Sequence, residues 1–264
     1  MFPGGRTDPE ILDAEEDLTK DEFDRQYGAR FVERVGRVMQ EWDDEVHLRD
    51  LKFERSWPLY AGIDYGYTNP FVLLWIQVDP FNNVYVIREH RWQLKDTMTI
   101  AQEVMDHPLE KHLLSLLVAF YPDPAEPDDT ETLRRLWRKP ARMNTGGELR
   151  TRLNLIRHHL KIHNLHLPEG HADRQPRLFV DRRCTQLAWE MREGYRWPEH
   201  KSETKSESEN PMDKDNHGIE ALGRFMKGYM EVVGDSRHTI QKTAYIGPGR
   251  LKDIRNPSLK VGRG

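Results

Sequence analysis

The sequence predicts a mixed α/β fold, a sheet flanked by helices, on three observations. Runs rich in Val, Ile, Leu, Tyr and Trp stand close together at 59–64, 71–79 and 84–92, as in a hairpin meander. Turn chemistry, Pro80-Phe81-Asn82-Asn83, separates the last two. Downstream, short apolar runs alternate with stretches of helical periodicity, which extends such a sheet and covers it.

The elements follow in order. Residues 1–55 form an approach segment that is acidic at first (Asp8, Glu10, Asp13, Glu15, Glu16, Asp17). Within it, 20–31 predicts a helix with Phe23, Tyr27 and Phe31 on one face, and 36–47 reads as extended after Gly36. A domain over 56–235 holds the three strands. Asp96 or Thr97 then caps a helix to about 107, which Pro108 ends. The continuous apolar run 114–121 reads as a strand buried on both faces, delivering Asp123 at its end. Asp128 or Asp129 caps a helix to Trp137, and 140–143 predicts a short strand. Residues 148–162 are amphipathic, with Leu149, Leu153, Ile156 and Leu160 on one stripe. A strand at 177–181 and a helix over 185–193 that stops at Gly194 come next. Residues 198–212, charged and Ser-rich, read as an exposed mobile loop before a last helix over 215–230. The tail, 236–264, is basic: Arg237, Lys242, Arg250, Lys252, Arg255, Lys260 and Arg263 face only Asp253.

Composition narrows the function. Hydrophobic residues are 37% of the 264, below the usual range of roughly 45–50%, so one ordinary core is diluted by polar segments. A net charge of −4 does not fit a generic basic nucleic-acid binder. No apolar run reaches the roughly 18 residues of a membrane span, and the start lacks a secretory h-region. The single Cys184 excludes an internal disulfide and a Cys-based zinc site, so a reducing, intracellular setting is expected.

Carboxylates carry the chemistry. Asp64 ends the first strand just before Gly66, Asp123 follows a later strand, and Asp215, His217 and Glu220 fall within two turns at the start of the last helix. Hard cations such as Mg²⁺ take oxygen ligands, and two ions roughly 3.5–4 Å apart suit phosphodiester hydrolysis. Each residue also has an ordinary role: turn chemistry for Asp64 and Asp123, an N-cap for Asp215, a solvated helix position for Glu220. The histidines at 158, 159, 163 and 166 share helical spacing but lack the pattern of a zinc site. No P-loop sequence and no G-x-S-x-G nucleophile motif is present.

At these residues the chain resembles the C-terminal nuclease domain of the large terminase subunit of tailed bacteriophages, over about 20–230. Gly62-Ile-Asp-Tyr-Gly66 with Asn69-Pro70 resembles the first acidic motif, and Tyr121-Pro-Asp-Pro-Ala-Glu-Pro127 the second. Leu178-Phe-Val-Asp181, Glu190 and Tyr195-Arg-Trp197 resemble the stretch before the third, and Asn216-His-Gly-Ile-Glu-Ala-Leu-Gly-Arg-Phe225 that motif and its helix. The segment 36–47 resembles the connector to an ATPase domain. Many relatives read Asp-His-x-x-Asp where this chain has Asn216-His217-Gly-Ile-Glu220, which leaves Asp215, His217 and Glu220 as alternative third ligands.

The resemblance implies an RNase H-like fold and cleavage of double-stranded, concatemeric viral DNA at the start and end of genome packaging. It implies two Mg²⁺ or Mn²⁺ ions held by Asp64, Asp123 and the third motif. It also implies an ATPase domain, a portal and a small terminase subunit as partners, with no membrane, in the host cytoplasm. Arg142, Arg150, Arg152, Arg157 and Lys161 are candidates to hold the DNA backbone, or else a solvated helix face. A Holliday-junction resolvase or transposase-like nuclease, and a non-catalytic docking module, are the competing readings.

Overall fold

The elements run α1 (Asp44–His47), β1 (Leu48–Arg49), β2 (Leu59–Asp64), β3 (Phe71–Val78), β4 (Val84–Trp92), α2 (Thr97–Asp106), α3 (Pro108–Leu116), β5 (Leu117–Tyr121), α4 (Pro127–Trp137), α5 (Leu149–Leu160), β6 (Leu178–Asp181), α6 (Thr185–Trp189) and α7 (His217–Ala244). A computed structural model describes residues 18, 36–143, 149–198 and 210–244, with side chains as far as 231. Met1–Gly228 forms one compact unit and Tyr229–Gly264 a second, which among the described residues is the remainder of α7. The expected helix over 20–31, most of the loop over 198–212 and the tail beyond 244 lie outside the described residues. No described helix is long and apolar enough to cross a membrane.

The six strands lie in the order β1-β6-β4-β3-β2-β5. β2, β3 and β4 form the antiparallel meander, and β5 runs parallel to β2, β6 to β4 and β1 to β6. The β3–β4 turn is built by Asp79. Its carboxylate accepts hydrogen bonds from the amides of Phe81 and Asn83, each at 2.8 Å, while Asn82 takes the left-handed conformation at φ 64°. Such an Asp turn satisfies a buried carboxylate locally and fixes the hairpin register.

Side-chain alternation assigns the two faces of the sheet. Leu59, Ala61 and Ile63 of β2 join Phe71, Leu73, Trp75 and Ile87 in a core closed by Ile100, Val104, Leu113, Leu114, Leu133 and Trp137 from α2, α3 and α4. The intervening β2 residues meet α7. Phe225 of α7 packs against Tyr60 and Tyr121, with ring centroids 5.7 and 5.3 Å apart. Full burial of such a ring contributes about 1.5–3 kcal/mol. At Gly62 the approach is closer: a Cβ there would lie 2.4 Å from the Ala221 carbonyl oxygen of α7.

Several boundaries differ from expectation. Residues 44–47, read as extended, form a helical turn capped by Asp43, whose side chain accepts from the Glu45 amide at 2.8 Å. The apolar run over 114–121 divides. Pro108 starts α3 rather than only ending α2, α3 continues to Leu116, and β5 begins at Leu117. Proline is pre-set for the first helical turn, and periodicity alone cannot separate a buried strand from a helix end in a short apolar run. β5 exposes Val118, so only part of it is buried on both faces. The short strand over 140–143 reduces to one parallel bridge, Phe120 to Ala141. The helix from 185 changes pitch into a π segment, Glu190–Gly194, with the Tyr195 amide donating to the Glu190 carbonyl at 3.1 Å. The last helix continues past 230 to Ala244.

Two histidines, His163 of the cluster and His47 of α1, meet carbonyls at the end of α5. A helix end leaves its last carbonyls without intrahelical donors. His47 Nε2 lies 2.8 Å from the Leu160 carbonyl, and His163 Nε2 lies 3.0 Å from that of His158. His159 is buried, its Nδ1 2.8 Å from the Leu155 carbonyl. Since a carbonyl only accepts, each of these ring nitrogens carries its proton. Burial pushes the His159 pKa down to about 3.

Two outcomes follow from this packing. Gly62→Ala places a methyl group against α7 backbone and is expected to lower stability by about 1–3 kcal/mol in urea unfolding. His159 stays neutral in the fold while the unfolded chain protonates it near pH 6.5. Its contribution is therefore complete at neutral pH and is lost as pH falls below that value. From about pH 7.5 to 5.5 the wild type should lose about 1.4 kcal/mol more than His159→Gln; equal losses would show that His159 does not titrate this way.

Candidate active site

β2 and β5 are adjacent and parallel, with Gly62 opposite Tyr121, so their carboxyl ends reach the same edge of the sheet. Asp64 is the last residue of β2 and Asp123 lies two residues past β5. Asp64 also follows Tyr60 and Gly62 at every second position, so it faces α7 as they do. The Asp123 carboxylate accepts from the Ala125 amide at 3.0 Å, a local turn that holds it in place.

α7 supplies the rest. His217, Glu220 and Arg224 are spaced i, i+3 and i+7 and so share one helix face. His217 Nδ1 donates to Asp64 Oδ2 at 2.8 Å. The guanidinium of Arg224 bridges the two strand ends, with Nη1 on Asp64 Oδ1 and Nη2 on Asp123 Oδ2. The same Nη2 lies 3.7 Å from Glu220 Oε2, which also accepts from Arg152 Nη2 at 2.6 Å. Asp64 and Arg224 are both buried. The helix N-terminus is tied down independently, because buried Glu190 in the π segment accepts from the Ile219 amide at 3.0 Å. Arg91 pairs with Glu190 at 2.7 Å.

The electrostatics follow from burial and pairing. The hydrogen bond to Asp64 raises the pKa of His217, so its proton is held more firmly. Burial raises that of Glu220, opposed by Arg152 and Arg224. Burial likewise raises that of the Tyr195 hydroxyl. A cavity of about 470 Å³ opens over this cluster, with Asp64, Tyr195, Asp213, His217, Glu220 and Arg224 among its walls.

The sequence candidates divide. Asp64, Asp123, His217 and Glu220 come together around Arg224. Asp215 does not line the cavity; it sits at φ 54° with its carboxylate 3.7 Å from Lys214 Nζ. Asp213, two residues earlier, lines the cavity and accepts from Asn216 Nδ2 at 3.3 Å. The left-handed turn at 215 separates these two carboxylates, and nothing in local spacing announces it. Of the five basic candidates, Arg150 is exposed, and Arg142 donates to the Tyr121 hydroxyl at 3.2 Å. Arg152 pairs with Glu220, and Lys161 donates to the Leu18 carbonyl at 2.6 Å. Arg157 is a correction: it is buried in a forked ion pair with Glu41, Nε to Oε2 at 2.9 Å and Nη2 to Oε1 at 2.9 Å, so it is not on a DNA-facing surface. Arg224 carried no role in the sequence reading. Its one signal was its place one turn after Glu220 on the His217 face.

The donors gathered here, carboxylate oxygens, are of the kind a hard divalent cation takes. Asp64 and Asp123 already share one cation, the Arg224 guanidinium. Among the described residues, no three His, Cys, Asp or Glu side chains are gathered to hold one by themselves in this arrangement.

No protein-family model and no curated protein sequence matches the chain. Solved structures do. A large terminase from a thermophilic bacteriophage superposes with a TM-score of 0.64 at 15% identity, over 82% of this chain and 51% of that one. The same protein in complex with ATP-gamma-S gives 0.64 at 14% identity, over 84% and 52%. The P22 large terminase nuclease domain gives 0.54 at 12% identity, over 75% of this chain and 93% of the domain. The chain thus spans about half the length of the thermophilic phage terminase and nearly all of the P22 domain.

Arg157→Met leaves the half-buried Glu41 without its partner and is expected to cost about 3–5 kcal/mol, measured by urea unfolding. The mixed six-stranded sheet flanked by helices is the RNase H-like fold, shared with the terminase nuclease domain.

Proposed function

We propose that this chain is a metal-dependent endonuclease that hydrolyses double-stranded DNA, cutting concatemeric viral genomes at the start and end of packaging. The observation that carries this reading is the pairing of Asp64 and Asp123 at adjacent parallel strand ends, around one cation position, on a fold shared with a terminase nuclease domain. In this reading Asp64 and Asp123 hold two ions, Mg²⁺ or Mn²⁺, with His217 and Glu220 beside them. Asp213, which reaches the cavity, takes the part first expected of Asp215. Bound ions supply charge stabilisation of the phosphate and a water of lowered pKa.

The chain's own residues bind and orient. His217 keeps its proton on Nδ1, toward Asp64, and so fixes the rotamer of that carboxylate. Arg152 neutralises Glu220 at the cavity wall, and the Tyr195 hydroxyl is a hydrogen-bond donor at neutral pH, burial raising its pKa further. Arg150, exposed on α5, is positioned for a phosphate contact outside the cavity. Contacts of this kind position DNA without reading bases, so little sequence preference is expected. The portal, the small terminase subunit and a terminase ATPase domain are the partners this reading assigns, in the host cytoplasm.

The test is plasmid cleavage with Mg²⁺, Mn²⁺ or EDTA, comparing the wild type with Asp64→Asn and Asp123→Asn. Metal-dependent cutting that falls by roughly 100-fold or more in either variant is expected. Cutting that persists in EDTA or in both variants would remove the assignment. A four-way junction cut in strong preference to linear duplex would move it to a resolvase.

A further inference from the structure

The guanidinium of Arg224 lies where the proposed metal chemistry needs a metal. Its two terminal nitrogens are divided between Asp64 and Asp123, one on each carboxylate. Its own helix does not demand this position, because Glu220, one turn earlier, is already paired with Arg152 at 2.6 Å and stands 3.7 Å from Arg224. Nor is Arg224 at the surface: it and Asp64 are buried to the same degree, and each side chain is 9% exposed. Two carboxylates held together at adjoining strand ends, Asp64 buried and Asp123 half-buried, repel each other unless a cation stands between them. Arg224 provides that cation from within the chain. Arg152 adds a second positive charge within reach of Glu220. The acids Asp64, Asp123 and Glu220 are therefore opposed by Arg224 and Arg152 before any ion arrives.

We propose that Arg224 is a functional residue of this site, an internal counter-cation that competes with divalent metal for Asp64 and Asp123, so that metal loads only as the guanidinium leaves. This inference rests on the nuclease reading of the same carboxylates. Two cations cannot share the oxygens that face one position, and a guanidinium pre-aligned on both carboxylates is a strong competitor. The long arginine side chain can withdraw without movement of α7, because it carries several rotatable bonds. The cavity in front of Asp64 and Arg224 gives it room. A DNA phosphate entering that cavity is the anion best matched to the fork it carries. Metal affinity in the absence of DNA is then low, which keeps the site idle until substrate is present.

The experiment measures metal binding rather than cleavage. Mn²⁺ is titrated into the protein without DNA by calorimetry, for the wild type, Arg224→Gln, Arg224→Lys and Asp64→Asn. Arg224→Gln is expected to bind Mn²⁺ about tenfold tighter than the wild type or better, Arg224→Lys, which keeps the charge but not the fork, to fall between the two, and Asp64→Asn to lose binding. If the wild type binds Mn²⁺ and folded Arg224→Gln binds no tighter, competition is overturned while the nuclease reading stands. If neither binds Mn²⁺, the nuclease reading fails and this inference with it. Should Arg224→Gln fail to fold, the wild type still decides the matter. The Nε–H resonance of Arg224 is followed during a Mg²⁺ titration; it should lose its protection from solvent exchange as metal saturates, and protection unchanged at saturation overturns the proposal.

Discussion

The close approach of β2 to α7 at Gly62 governs what the rest of the molecule can do. The Ala221 carbonyl oxygen lies where any side chain at position 62 would begin, so the helix rests directly on strand backbone. That contact sets the height of α7 over the sheet. It places Arg224 and His217 within hydrogen-bonding reach of Asp64, two residues along the strand. Phe225, wedged between Tyr60 and Tyr121, fixes the rotation of the helix about its axis. A strand with a larger residue at 62 would hold the helix away, and His217 and Arg224 would lose Asp64 as a partner.

A second constraint is that charge is buried in many places and paired in each. Glu110 accepts from Trp75 Nε1 at 2.6 Å and pairs with Arg88 at 2.6 Å; Arg91 links Glu89 and Glu190; Arg157 holds Glu41. Burying an ion is costly unless its partners satisfy it, and these networks bind β3 and β4 to α3, β4 to the π segment, and α5 to the segment before α1. In the candidate active site, as at Arg91, one guanidinium serves two carboxylates, here from two separate strand ends.

The secondary structure was largely legible in the residues. β2, β3 and β4 stand out by composition and by the turn chemistry of residues 80–83, and α5 by its apolar stripe. The misread places share a cause. The run 114–121 is apolar throughout, so its change from helix to strand at Leu117 leaves no periodic trace. Residues 44–47 form a helix through one aspartate cap that spacing does not separate from an extended connector. The histidines near the end of α5 lack the pattern of a zinc site; one of them, His163, donates to a carbonyl at the end of that helix, and His47, from outside the cluster, donates to the last. Which carbonyls need donors is known only once the helix end is placed.

By itself the sequence determined that Asp64 ends a strand, that it shares a face with Gly62 and Tyr60, and that His217, Glu220 and Arg224 share a helix face. These follow from periods of two and of about 3.6 residues, which local geometry imposes. Only the tertiary structure decided that the two faces meet, that Asp123 joins Asp64 across parallel strand ends, and that Arg224 stands between them. It likewise decided that Asp213 rather than Asp215 reaches the cavity, and that Arg157 is buried. Those outcomes depend on which surfaces pack and how closely, and residues distant in the chain are brought together by packing that no local spacing encodes.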